Sequence, residues 1–199
     1  MIARGGRGLV GAGALASVVA LPFTVYASAA FAALTVFLAA IFRDPKREAG
    51  TGIVAAADGV VREVDPQRGY VSTYLALRNV HVTRAPVDGV VESVVRSRGR
   101  HVPAFSKKSP QNERVEITLK TAMGTVSVIE MTGAIARRIV PYVAVGQELS
   151  KGEKMSLIRF GSRVDLHLPP ASAKVLVRKG QRLRAGETTI AEVQDGRVE

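Results

Sequence analysis

The chain has 199 residues and no cysteine, so it is long enough for one domain with an appendage and holds neither a disulfide nor a thiolate metal site. Its three histidines lack the spacing of a histidine metal centre, so no metal is expected. The formal net charge of +11 favours an acidic partner, and the aromatic content of only 5% together with the absence of a nucleic-acid-binding motif disfavours nucleic acid. An anionic membrane surface is therefore the expected partner.

An uncharged apolar run at residues 8–42 dominates the N-terminus. It is longer than the apolar core of a signal peptide and long enough to reach across a bilayer, and Pro22 divides it in two. Basic residues at both ends favour the cytoplasmic side for each end. We therefore expect residues 1–42 to form a membrane segment at the cytoplasmic face of the cell membrane, either a helical hairpin or one span with an interfacial segment. The basic residues that follow are expected at anionic headgroups: Arg43, Lys46 and Arg47.

The remainder, residues 43–199, changes to short Val/Ile-rich runs separated by Gly, Pro and Asp. Short strands with regular turn signals are typical of a mostly β sandwich or barrel. The run "TGAIARRIVPYV" is compatible with a short helix or with a further strand. The stretch "LIRFGSRVDLHLP" at residues 157–169 alternates like a strand, but Gly161 and Ser162 interrupt it. A glycine inside a strand usually marks a bulge, a bend or a close approach of backbone.

Two pairs of segments repeat within this region. "ADGVVREV" at 57–64 matches "VDGVVESV" at 87–94, and "GQELSKGE" at 146–153 matches "GQRLRAGE" at 180–187. The glycines supply positive φ at turns, so each unit is predicted to be a strand–turn–strand element used twice. Such turns resemble those of barrel-sandwich hybrid domains, the architecture of biotinyl and lipoyl carriers. Lys154 in "GEKMSL" has the reverse order of a carrier Met-Lys pair, so carrier function does not follow from this fold.

Several ordered blocks carry a more specific resemblance. They are "IFRDPKR", "AADGVV", "NVHVTRAPVDGVV", "NERVEI", "GAIARRIV", "IRFGSRVDLHLP" and "GQRLRAGETTIAEV". In this order they resemble the short form of the phosphatidylserine decarboxylase family, including its archaetidylserine counterparts, over essentially residues 41–193. The resemblance implies a membrane-attached enzyme that decarboxylates phosphatidylserine or archaetidylserine to the ethanolamine phospholipid.

The resemblance also implies self-cleavage, because family members are proenzymes that cut themselves at a Gly–Ser bond, here Gly161–Ser162. The serine oxygen attacks the preceding carbonyl to give an ester, which loss of the α-proton eliminates as a carboxylate. The dehydroalanine that remains hydrolyses to a pyruvoyl group and ammonia. Two intertwined chains result, residues 1–161 and 162–199, with a pyruvoyl cofactor and neither metal nor PLP. The pyruvoyl group forms a Schiff base with the substrate amine and accepts the electrons that departing CO₂ leaves.

The groups that activate the serine follow from the same blocks. The resemblance assigns Asp58 in "ADG" and His81 in the "H-x-x-x-x-P" block, with His81 as the base and Asp58 orienting it. Longer members carry a second histidine where this chain has Arg84, so either His81 serves both steps or another group assists cleavage. His101 and His167 are spare candidates. The candidates for holding the substrate's phosphate and carboxylate are four arginines: Arg137, Arg138, Arg159 and Arg163.

Competing hypotheses remain open at this point. A non-catalytic, membrane-tethered barrel-sandwich binding module would keep an intact chain of 199 residues. A soluble pyruvoyl decarboxylase of amino acids is disfavoured by the apolar segment, and a Ser-His-Asp hydrolase by the missing G-x-S-x-G elbow. The expected partners are a serine phospholipid, an anionic membrane and the chain's own two fragments, which form a heterodimer. A homodimer of such pairs is an open alternative.

Overall fold

A computed structural model of the chain describes residues 1–104, 106, 108–134, 138–159 and 161–194. The chain divides into two compact units, Met1–Pro45 and Lys46–Glu199. The first is helical and the second is built from strands. Each unit is described by itself.

The first unit contains two helices, α1 at Arg7–Ala20 and α2 at Val25–Ile41. Both are rich in alanine, which favours helix, and the break between them contains Pro22, which lacks the N–H that a helix interior needs. The helices contact each other, since the hydroxyl of Ser28 donates to the carbonyl of Ser17 at 2.8 Å.

Much of the apolar surface of these helices is exposed. Phe23 and Tyr26 are 82% and 88% exposed, and large aliphatic side chains on both helices are also exposed. At 14 and 17 residues, the two helices fall short of the length and hydrophobicity that a bilayer crossing requires, and this holds for every helix in the described part of the chain.

The second unit confirms the predicted mostly β fold. Its described residues form fourteen short strands. These are β1 Ile53–Val54, β2 Gly59–Asp65, β3 Tyr70–Leu75, β4 Val82–Arg84, β5 Gly89–Ser97, β6 Arg114–Thr121, β7 Gly124–Met131, β8 Ile139–Pro141, β9 Glu148–Leu149, β10 Lys154–Ile158, β11 Ser162–His167, β12 Ala173–Val175, β13 Arg182–Leu183 and β14 Thr189–Val193.

The strands form three antiparallel sheets. The largest has eight strands in the order β13-β2-β3-β11-β7-β6-β5-β9, and the smaller ones have the orders β1-β14-β12 and β4-β10-β8. Alternate residues of a strand point to one face, so β6 contributes Val115, Ile117 and Leu119 to a single core, and β7 contributes Val126 and Val128. Burying each such side chain stabilises the fold by about 1.5–3 kcal/mol.

The two sequence repeats fold in the same way. The N–H of Gly146 donates to the carbonyl of Val91 at 2.8 Å, and the N–H of Gly180 donates to that of Val61 at the same distance. Both glycines have positive φ, +84° and +88°. The pairing of β9 with β5 matches that of β13 with β2. Each "DGVV" strand therefore pairs with one "GQxLxxGE" turn, and the predicted repeat is a repeat of structure.

The stretch 157–169 is not one strand. β10 ends at Ile158, β11 begins at Ser162, and Gly161 between them has φ +47°, a region that favours glycine. β10 is the central strand of its three-stranded sheet, whereas β11 lies between β3 and β7 in the middle of the large sheet. The glycine in the predicted strand therefore marks the point where the chain crosses from one sheet to another.

Candidate active site

The Gly161–Ser162 bond lies at this crossing between sheets. Ser162 is fully buried, and its Oγ has no hydrogen-bond partner among the described residues. Leaving a buried hydroxyl unpaired costs about 1–3 kcal/mol, so such a group in a folded protein requires an explanation. A role as the nucleophile that attacks the adjacent carbonyl of Gly161 fits this position.

The carbonyl of Gly161 is closely packed from one side. A Cβ atom on Gly133 would overlap the Gly161 carbonyl oxygen, so position 133 accepts only glycine unless that carbonyl moves. A Cβ on Gly161 itself would meet nothing within 4 Å. The constraint at Gly161 is therefore its positive φ, whereas the constraint at Gly133 is space.

His81 is fully buried and lies against the same segment. Its Nε2 accepts a hydrogen bond from the N–H of Gly161 at 3.1 Å, and its Nδ1 lies 2.8 Å from the carbonyl oxygen of Asn79. Because a carbonyl can only accept, this network assigns the proton to Nδ1 and makes Nε2 the basic nitrogen. The neutral imidazole thus directs its basic atom at the backbone of the Gly161–Ser162 segment.

Asp58 is paired with Arg47. The two carboxylate oxygens accept from Nη1 and Nη2 of Arg47 at 2.5 and 2.9 Å, and Oδ1 also accepts from the N–H of Ala185 at 2.8 Å. The side chains of Arg47 and Asp58 are only 6% and 9% exposed, so the expectation that Arg47 faces lipid headgroups is wrong. Among the described residues no hydrogen bond joins Asp58 to His81, and the Nδ1 of His81 lies at the carbonyl of Asn79, so the orienting role of Asp58 stays a prediction.

Arg84, which replaces the second histidine of longer members, and the two spare histidines lie away from this segment. Arg84 is buried and donates from Nη1 to the carbonyl of Gly152 at 2.8 Å, which places it at a turn of the repeat. His167 is exposed at the far end of β11, about 16 Å from Ser162 by the rise of a strand. His101 is also exposed. Of the three histidines, His81 is the one that hydrogen-bonds to Gly161.

Comparison of the chain with known proteins shows its family. Residues 34–191 match the family model of phosphatidylserine decarboxylase. A Thermobifida fusca protein named phosphatidylserine decarboxylase proenzyme is 49% identical over 79% of this chain and 74% of its own length. A Halobacterium salinarum protein, provisionally named archaetidylserine decarboxylase proenzyme, is 49% identical over 80% of this chain and 82% of its own. The chain belongs to the phosphatidylserine decarboxylase family.

Phosphatidylserine decarboxylases are enzymes, and the name proenzyme that the relatives carry implies self-processing. The resemblance of the ordered sequence blocks to this family is thereby confirmed. Decarboxylation is the activity that this membership supports. The comparisons do not assign roles to individual residues, which are inferred from their hydrogen bonds and burial in this chain.

Arg163 follows the candidate cleavage site of this decarboxylase and is fully engaged inside the protein. It donates to both carboxylate oxygens of Asp165 at 2.7 and 2.8 Å, to the hydroxyl of Tyr70 at 2.6 Å and to that of Ser109 at 3.0 Å. Burial opposes the charged form, but the Asp165 carboxylate outweighs it, and the pKa of Arg163 is raised. Because neighbouring residues of a strand face opposite sides, this network lies across the sheet from Ser162.

The remaining arginine candidates are less enclosed. Arg138 is exposed and Arg159 is half-buried, and the N–H of Arg159 donates to the carbonyl of Arg138 at 3.1 Å. Arg159 lies two residues before Gly161, so the pair is close to the candidate cleavage site along the chain. Arg137 lies outside the described residues, and its assignment stays a prediction.

Glu130 on β7 is a buried acid of this decarboxylase that the sequence analysis missed. Its carboxylate accepts from the hydroxyls of Thr83 and Ser156 at 2.6 and 2.5 Å. Burial raises its pKa to about 7, although both hydrogen bonds act to lower it. Thr83 lies two residues after His81, and Ser156 lies on β10, the strand that leads to Gly161. Because β7 pairs with β11, Glu130 ties the strands around His81 and Gly161 to the strand that begins at Ser162.

Proposed function

We propose that this protein is a self-processing decarboxylase of phosphatidylserine or archaetidylserine, with a pyruvoyl cofactor made from Ser162. The observation that carries the proposal is the buried Ser162 hydroxyl, which has no hydrogen-bond partner among the described residues, next to a glycine whose N–H is bound by His81. The names of the relatives supply the substrate class. We assign the second compact unit, Lys46–Glu199 (the β-domain), to the barrel-sandwich hybrid architecture, on the basis of its repeated turns.

In the proposed cleavage, Ser162 Oγ attacks the carbonyl carbon of Gly161 while Nε2 of His81 takes the hydroxyl proton. Before this transfer, Nε2 exchanges its hydrogen bond with the Gly161 N–H for one with the Ser162 hydroxyl. The C–N bond breaks and leaves an ester with a free amine on Ser162. Loss of the Ser162 α-proton expels Gly161 as a carboxylate, and water converts the dehydroalanine to the pyruvoyl group and ammonia.

The pyruvoyl group, once formed, supplies a carbonyl that holds the substrate amine and draws off the electrons left by CO₂. His81 is the buried base beside this position and is assigned to return a proton to the substrate carbon. Arg138 and Arg159 are assigned to the substrate phosphate and carboxylate, together with Arg137 from the sequence pattern. Arg163, whose donors are used within the protein, is assigned to holding β11 in place.

The site of action follows from the substrate. We propose that α1 and α2 attach the enzyme to the cytoplasmic face of the cell membrane as a helical hairpin, with their exposed apolar side chains in the lipid. The working enzyme is then a heterodimer of residues 1–161 and 162–199. Attachment lets the serine headgroup reach the β-domain while the lipid chains stay in the bilayer.

Denaturing mass spectrometry of the purified protein tests this function. Two chains are expected, and the smaller one starts with a blocked residue derived from Ser162. Ser162→Ala should abolish cleavage and activity, because no oxygen is left to attack, and His81→Ala should leave mostly uncut chain. Ser72→Ala is the control, since it removes another buried hydroxyl on the neighbouring strand β3. An uncut chain in active protein would contradict the pyruvoyl mechanism and favour a non-catalytic binding module.

A further inference from the structure

The two turns of the sequence repeat have the same burial pattern but opposite charge. In each turn a buried valine and a buried leucine are separated and flanked by exposed positions, four of which carry a residue other than glycine. At these four positions the first turn has one acidic and no basic residue, a formal charge of −1: Ala144, Val145, Glu148 and Ser150. The second turn has four basic residues, a formal charge of +4: Arg178, Lys179, Arg182 and Arg184.

The fold does not require these basic residues. The first turn makes the equivalent backbone hydrogen bonds without them. For example, the N–H of Gly152 in the first turn donates to the carbonyl of Ala85, and the N–H of Gly186 in the second turn donates to that of Ala55, both at 2.8 Å. Arg184 lies 3.4 Å from Glu187 in an exposed ion pair. Among the described residues, Arg178, Lys179 and Arg182 have no acidic partner within ion-pair distance. The charge is therefore available to something outside the β-domain.

The surroundings of the turn combine charge with apolar surface. Arg178 and Lys179 line a groove of about 990 Å³, together with Arg62, the acid Glu63, and Arg163, whose charge is paired with Asp165. Its other lining residues include two valines and two prolines: Val64, Val177, Pro66 and Pro110. Leu176, just before the turn, is 46% exposed. A phospholipid surface offers the same two features, a layer of negative headgroups above apolar chains.

We propose that the basic turn, residues 178–184, with its groove is a docking surface for an anionic bilayer, in addition to α1 and α2. This inference rests on the proposed action on a membrane lipid. Each basic residue near an anionic leaflet strengthens binding about fivefold, and salt weakens the attraction. The turn therefore holds the β-domain at membranes rich in anionic lipid. The serine phospholipid substrate is itself one of these anionic lipids.

The test measures binding of the full-length protein to sedimented vesicles. One set contains phosphatidylcholine alone, and the other contains phosphatidylcholine with about a third phosphatidylglycerol. The variant R178S/K179S/R182S removes three basic residues of the turn, and R98S/R100S/K120S removes three exposed basic residues elsewhere. Both variants lower the formal net charge from +11 by three, to +8.

The turn variant should bind the anionic vesicles at least about tenfold more weakly than wild type, with binding to neutral vesicles unchanged. The control variant should stay within about twofold of wild type, and 1 M salt should remove the difference between the variants. Equal losses in both variants, or no loss in the turn variant, would overturn the inference. The inference would also be overturned if the turn variant bound vesicles like wild type but lost binding to RNA, because the basic turn would then bind nucleic acid and not a bilayer.

Two further readouts separate this inference from the proposed function. Self-cleavage and turnover of a short-chain, water-dispersed serine phospholipid should be the same in wild type and both variants. If wild type lacks these activities, the proposed function fails, while the vesicle comparison still reports on the docking surface.

Discussion

Two backbone groups of Gly161 are held by different neighbours, and this arrangement sets what the cleavage site tolerates. The N–H is bound by His81 at 3.1 Å, and the carbonyl oxygen lies against Gly133, where any side chain would overlap it. The carbonyl that Ser162 is proposed to attack is therefore positioned from two sides. A shift of that carbonyl by the width of a methyl group would spoil the approach of the oxygen.

Gly133→Ala should therefore slow self-cleavage at least about tenfold, because the added methyl group displaces the Gly161 carbonyl. Cleavage is followed on denaturing gels after cell-free synthesis of the chain. Gly11→Ala is the control, because a Cβ there meets nothing within 4 Å. Cleavage of Gly133→Ala at the wild-type rate would show that the carbonyl is not held in this position.

Glu130 gives the stability of the fold a pH dependence of definite sign. Its pKa in the folded protein is raised to about 7 from an ordinary value of 4.5, because burial disfavours the carboxylate. The folded state thus keeps a proton that the unfolded state loses first. Stability from this group is fully present below pH 4.5 and is lost as the pH rises through about 7, a change of about 3 kcal/mol.

Glu130→Gln should remove this pH dependence, so that the variant gains stability over the parent as the pH rises from 5 to 8. Thermal unfolding is best measured in a Ser162→Ala background, where the chain stays in one piece. Glu148→Gln serves as the control because Glu148 is exposed on β9. Parallel pH profiles for the Glu130→Gln variant and its parent would contradict the assignment.

At the scale of elements, the two repeated turns each contain an aspartate. The two aspartates make the same backbone contact, but only Asp58 also forms a buried ion pair. Asp58 accepts the N–H of Ala185 at 2.8 Å, and Asp88 accepts that of Lys151 at the same distance. This contact closes each turn. Asp58 differs in being buried and paired with Arg47, whereas Asp88 is exposed.

Asp58→Asn should therefore destabilise the fold by about 3 kcal/mol, because it leaves the buried guanidinium of Arg47 with Glu187, 3.9 Å away and partly exposed, as its remaining acidic partner. Asp88→Asn should change stability by less than about 0.5 kcal/mol. Thermal unfolding of both variants in the uncut background gives the comparison. Similar losses in the two variants would show that turn closure, and not the ion pair, is the contribution of Asp58.

The double variant Arg47→Met/Asp58→Asn separates stability from chemistry. Removing both charges should restore much of the stability lost in Asp58→Asn, because no uncompensated buried charge is left. If Asp58 also supports the cleavage base, as the family resemblance implies, self-cleavage stays slow in the double variant. Recovery of cleavage together with stability would limit Asp58 to its ion pair with Arg47.

The strands could be predicted from sequence because their cause is local. Val115, Ile117 and Leu119 alternate, and this period of two places them on one buried face. The change of sheet at Gly161 could not be predicted, because it depends on which strands β10 and β11 pair with. The pair of Arg47 and Asp58 likewise depends on the path of the loop between them.

Glu130 did leave a signal in the sequence. It continues the alternation of Val126 and Val128, which puts an acidic residue at a core-facing position of a predicted strand. What the sequence lacks is the identity of its partners, since Thr83 and Ser156 come from two other strands. His81 was found through its family block, but its hydrogen bonds to Asn79 and Gly161 needed the fold.

At the scale of the whole molecule, the helical and β units should be separable in function. Residues 1–42 contain both apolar helices, and the described residues of the cleavage site all lie in the second compact unit. Extracting a lipid chain from a bilayer costs about 0.8 kcal/mol for each CH₂ group exposed. An enzyme without its attachment would have to overcome much of that cost.

Deletion of residues 1–42 should leave a domain that folds and cleaves itself. Its turnover of serine phospholipid in vesicles should fall at least about tenfold, while turnover of a short-chain, water-dispersed substrate should be spared. Both rates are obtained from CO₂ release by the same preparation. Equal losses on the two substrates would mean that the segment shapes the active site and does not merely bring it to the membrane.

The central position of β11 would make the proposed self-cleavage an irreversible step. If the chain is cut at Gly161–Ser162 as proposed, residues 162–199 supply β11 in the middle of the large sheet, and β13 and β14 pair with β2 and β1 of the longer piece. Unfolding then separates two molecules, so refolding depends on concentration and requires one piece to find a gap in the other. The cut enzyme would then owe its persistence to the barrier against withdrawing a central strand, and would not refold readily once denatured.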